Sequence, residues 1–108
     1  MGTDTPTWQR LHDATLVSIA LDWSSGEARL VLRLSENPPR TAQLVAIQVF
    51  SMHCPRAQPW GASVSVNGVQ HVIDTTTKRE RLAIEMQSGD TIALEAMRVH
   101  LEFDPINR

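Results

Sequence analysis

An all-β fold, an antiparallel β-sandwich of about seven or eight short strands, is what three features of this 108-residue sequence predict. Alternating apolar and polar runs come in pairs separated by Gly-containing turns. One run between the pairs is apolar on both faces, as in a central covered strand. No segment has the length or period of a crossover helix, which argues against a parallel sheet. The length suits a single domain, residues 1–108, able to bury one core without staples.

In chain order, Thr5-Pro6-Thr7-Trp8 predicts at most one short N-terminal helical turn, with Trp8 and Leu11 docking against the sheet. Val17, Ile19, Leu21 and Trp23 then alternate with Ser18, Ala20 and Asp22, and Leu30, Leu32 and Leu34 alternate with Arg29, Val31 and Arg33. A two-residue turn at Ser25-Gly26 sets Trp23 opposite Ala28, Leu21 opposite Leu30, Ile19 opposite Leu32 and Val17 opposite Leu34. That register puts both apolar sets inward and Asp22 opposite Arg29. Leu44 to Phe50 is the covered strand, and Asn67-Gly68 predicts a type I′ hairpin that ends near Ile73.

Near the C-terminus, Leu82, Ile84 and Met86 precede Gln87-Ser88-Gly89, and Ile92 and Leu94 follow. A three-residue loop with Gly89 left-handed places Ile84 opposite Ile92, Leu82 opposite Leu94 and Arg81 opposite Glu95. Beyond Ala96-Met97 the apolar phase slips, so that Met97, Val99, Leu101 and Phe103 are expected inward. A bulge, or a bend into another sheet, accounts for such a slip.

Composition restricts function. Apolar residues make up 42% and charged residues 20%, with net charge −2, as in ordinary globular proteins. Nucleic-acid binding through bulk charge needs a basic excess that is missing here, and the absence of tyrosine argues against a base-stacking surface. No apolar run approaches the roughly 20 residues of a membrane-spanning helix, so no membrane association is expected. A single cysteine, Cys54, and no recognisable secretory signal make the cytoplasm the expected location.

No catalytic or cofactor motif is present, and neither cofactor nor metal is expected. The four histidines lack C-x2-C, H-x-H and H-E-x-x-H spacings, and adjacent strand residues such as His53 and Cys54 point to opposite faces. If the Asn67-Gly68 hairpin forms, His71 shares a face with Val64, Val66, Val69 and Ile73, and a satisfied, partly buried side chain is the favoured reading. His12 and Asp13 pair an imidazole with a carboxylate just ahead of the first strand. The favoured reading of the pair is structural, as a cap or pin at the entry to the first strand. Cys54 to Gly61 carries Arg56 and Trp60, residue types enriched in binding hot spots, with Trp60 held between Pro59 and Gly61. The candidate binding residues are therefore Trp60, Arg56, His53, His12 and Asp13.

Trp8, His12, Asp13 and Ala14 form a W-x-x-x-H-D-A segment ahead of the first strand. It resembles the opening of small bacterial immunity-type proteins and related uncharacterised β-rich families. The resemblance implies a bacterial protein that binds another protein, a toxin among the candidates, and supplies no catalytic residues. A non-catalytic protein-binding module is thus the leading expectation. A small metal-dependent or His/Asp-based hydrolase is the alternative, if His12, Asp13, His53 and Cys54 converge. Self-association through an exposed strand edge is a third.

Overall fold

Alternation puts Ala28, Leu30, Leu32 and Leu34 on one side of a strand and Arg29, Val31 and Arg33 on the other. In the computed structural model, which describes residues 8–36, 38–56 and 64–104, the first set is buried. Six strands form among the described residues: β1 (Thr15–Asp22), β2 (Glu27–Leu34), β3 (Arg40–His53), β4 (Val66–Ile73), β5 (Glu80–Met86) and β6 (Thr91–Phe103). They make one antiparallel sheet of order β1-β2-β3-β6-β5-β4. The all-β antiparallel expectation holds, but in place of a sandwich of seven or eight strands the described residues form six strands in a single sheet.

The difference arises because β3 and β6 turn a corner without breaking. Gln48 adopts a left-handed φ of 55°, and the β3–β6 register shifts between Val49 and Ser51. Opposite, Met97 and Arg98 are both exposed between buried Ala96 and Val99. The phase slip in the sequence is this corner, although Met97, expected inward, faces solvent. Leu44 to Phe50 is covered on both faces only as far as Ala46, where outward Val45 is 2% exposed; Ile47 and Phe50 beyond it are exposed.

The sheet curls until its outer strands touch at one end. Thr15 bridges Ser65, the Leu16 N–H donates to the Val64 carbonyl (2.7 Å) and the Val66 N–H to the Ala14 carbonyl (2.9 Å). The inner face encloses one core around Leu30, Leu32, Leu44, Leu82 and Ile84. Trp8 and Leu11 are buried in that core, held by turns in which the Leu11 N–H donates to the Trp8 carbonyl (3.0 Å).

The β5–β6 hairpin has the expected pairs, Ile84 with Ile92, Leu82 with Leu94 and Arg81 with Glu95, and Gly89 has φ 100°. The β1–β2 hairpin differs by two residues: Leu21 pairs with Ala28 and Ile19 with Leu30. The Asp22 carboxylate accepts from the Ser24 N–H (3.0 Å), the Ser24 hydroxyl (2.8 Å) and the Ser25 N–H (3.3 Å), so the turn spans Trp23 to Gly26. Asn67-Gly68 makes no hairpin. Both residues lie inside β4, where Asn67 takes up a register shift against β5. The chain turns instead at Asp74, whose carboxylate accepts the N–H groups of Thr76 and Thr77 (2.8 and 2.9 Å).

Candidate functional site

Two surface features of the described residues stand out. The first is a polar network at the seam where the outer strands touch. Asp13, at φ 66°, donates its N–H to the Val66 carbonyl (2.8 Å). The Asp13 carboxylate accepts from the Gln87 side-chain amide (2.6 Å). Since a carbonyl oxygen can only accept, His12 Nδ1 carries the proton shared with the Asn67 carbonyl (2.6 Å). The Asn67 amide donates in turn to Glu85 (3.0 Å). The network ties the segment before β1 to β4 and to the end of β5. His12 and Asp13 were singled out in the sequence; Asn67, Glu85 and Gln87 were not, because nothing local indicates that these segments meet.

The second feature is apolar. Val17, Ile19, Leu21 and Trp23 were expected to be buried, yet they are 57%, 38%, 40% and 89% exposed. Two causes are visible. β1 is the terminal strand of the sheet, and a register shift at Val17 breaks its alternation against β2. The lengthened turn also carries Trp23 out of the ladder. The stretch Thr15 to Leu21 contains no charged side chain, unlike edges that are protected against pairing.

The remaining sequence candidates lie elsewhere. His53 ends β3 opposite Ala93, and no hydrogen bond or ion pair among the described residues joins His53 or Cys54 to His12 or Asp13. Cys54 is an exposed residue whose thiol is pushed up by partial desolvation, which holds it in the protonated form. Arg56 lines a cleft beside β1. Trp60 falls outside the described residues. His71 shares the inner face with Val66, Val69 and Ile73, and its Nε2 lies 2.8 Å from the Glu80 carboxylate. No three His, Cys, Asp or Glu side chains among the described residues group as a metal site. No helix among them is long and apolar enough to cross a membrane.

No protein family, curated protein or solved structure matches this chain.

Proposed function

We propose that this protein is a non-catalytic protein-binding module that engages its partner through the exposed apolar side of β1 and the adjoining turn. The observation that carries this reading is Trp23, 89% exposed at the end of a stripe formed by Val17, Ile19 and Leu21. Tryptophan is the residue type most enriched in binding hot spots, and contiguous exposed apolar side chains mark interaction surfaces. The uncharged edge of β1 is also suited to receive an extended strand. The W-x-x-x-H-D-A resemblance supports a bacterial cytoplasmic setting and a toxin protein as the class of partner.

The test is affinity capture with wild type, Trp23→Ala and Val17→Lys, each shown to be folded by circular dichroism, followed by reconstitution with the purified partner. Each variant is expected to weaken the reconstituted complex about thirtyfold, the scale of a hot-spot loss of roughly 2 kcal/mol. A partner that binds all three proteins equally would refute the assignment of this surface. Sedimentation in parallel identifies the case in which the partner is a second copy.

A further inference from the structure

The seam fastens β1 only at its beginning. Past the Leu16 to Val64 hydrogen bond, β1 stands away from the β5–β6 turn and leaves a cleft of about 330 Å³ that leads toward the core. Leu16, Ile19 and Val64 line its sides, and Met86 and Ile92, 5% and 4% exposed, reach it from the core. The mouths of curled sheets are common ligand sites, and an apolar lining with few polar groups is their usual chemistry.

Among the described residues, two charged side chains lie along the cleft. Asp90 is buried and engaged within its own turn, with its carboxylate accepting from the Ser88 hydroxyl (3.0 Å). Arg56 is exposed and makes no hydrogen bond or ion pair with any described residue. A guanidinium is permanently charged and matches a carboxylate with two parallel hydrogen bonds. Among the described residues, the cleft thus combines an apolar interior with one cation, Arg56, that none of them engages. Its volume lies near the lower end of the roughly 300–1,000 Å³ of small-molecule sites, which suits one short chain and not a two-tailed lipid.

We infer that this cleft binds a small single-chain amphiphile bearing a carboxylate, its tail against Met86 and Ile92 and its head on Arg56. Such binding goes beyond the protein-binding reading and does not depend on it.

The test is calorimetric titration of the full chain with decanoate and with decyltrimethylammonium, both below their micellar concentrations. The proteins compared are wild type, Arg56→Gln, Arg56→Glu and Ile19→Trp, each first shown to be folded by circular dichroism. Wild type is expected to bind decanoate at least tenfold more tightly than the cationic amphiphile. Arg56→Gln is expected to lose most of that preference and Arg56→Glu to reverse it. Ile19→Trp, which narrows the cleft, is expected to weaken both ligands. The proposal is overturned if wild type does not bind decanoate, if it binds the two amphiphiles alike, or if the Arg56 variants keep the wild-type preference.

Discussion

Glu80 shows how a side chain's role can differ from its local sequence context. Within Lys78-Arg79-Glu80-Arg81 it reads as part of a solvated charge run. In the structure it faces inward, where one carboxylate oxygen takes both His71 Nε2 (2.8 Å) and the Val99 N–H (3.1 Å), with the Trp8 ring 5.3 Å from the His71 ring. His71 does face inward with Val66 and Val69, but the Asn67-Gly68 hairpin on which that expectation rested does not form, and Val64, expected on the same face, lies ahead of β4 and is exposed. The partner of His71 was not legible, because the pairing depends on β6 passing next to β5. Glu80→Ala leaves the Val99 N–H without its acceptor and is expected to cost about 2 kcal/mol in urea unfolding. Glu80→Gln keeps an acceptor oxygen and is expected to cost clearly less. Equal losses would mean that the negative charge, not acceptance, is what matters.

Asp22 acts at the same scale through its charge. Hydrogen bonds from the Ser24 hydroxyl, then from the Ser25 and Ser24 N–H groups, hold its carboxyl below the ordinary value. A carboxyl depressed in the folded state adds stability above its unfolded value, and that contribution disappears as pH falls through the folded value. Asp22→Asn is therefore expected to reduce the loss of stability on acidification below about pH 4, measured as thermal midpoint against pH. An unchanged acid slope would show that these hydrogen bonds do not favour the ionised form.

Among the elements, legibility followed turn chemistry. The β5–β6 pairs were readable because Gly89 fixes a three-residue loop, whereas the β1–β2 register was displaced because Asp22 gathers the turn around its own carboxylate. Asn67-Gly68 has the composition of a hairpin turn, yet the strand runs straight through it, and a single register shift absorbs the difference. Two glycines consequently respond oppositely to alanine. At Gly26, φ is 74°, and an added Cβ meets nothing closer than 3.6 Å, so the penalty is backbone strain of about 1 kcal/mol. At Gly68 a Cβ meets nothing within 4 Å and φ is not left-handed, so Gly68→Ala is expected to stabilise by about 0.5 kcal/mol. Denaturant midpoints moving in the same direction for both variants would contradict this account.

For the whole molecule, the all-β antiparallel class and the inward faces of β2 and β5 could be read from alternation, while the strand count, the strand order and the curl could not. Alternation reports which side chains share a face, and it is silent on which strand lies at an edge. That is why the β1 stripe was expected inside. The seam that the curl creates rests on few backbone bonds, so it is the place to test closure. The Leu16 and Val66 amides are expected to exchange hydrogen as slowly as central β3 amides. Exchange at the rate of turn amides would show that the outer strands separate in solution.

The strand order also bears on how the chain reaches this arrangement. β1-β2-β3 and β4-β5-β6 are each meanders of sequence neighbours, but the ladder joining them pairs Ala42 with Phe103, and the seam pairs Thr15 with Ser65. Contacts so distant along the chain make folding slow, since long loops must close before those contacts form. The two meanders each pair sequence neighbours yet share one core, and their docking through β3 and β6 is expected to set the pace at which the native state appears.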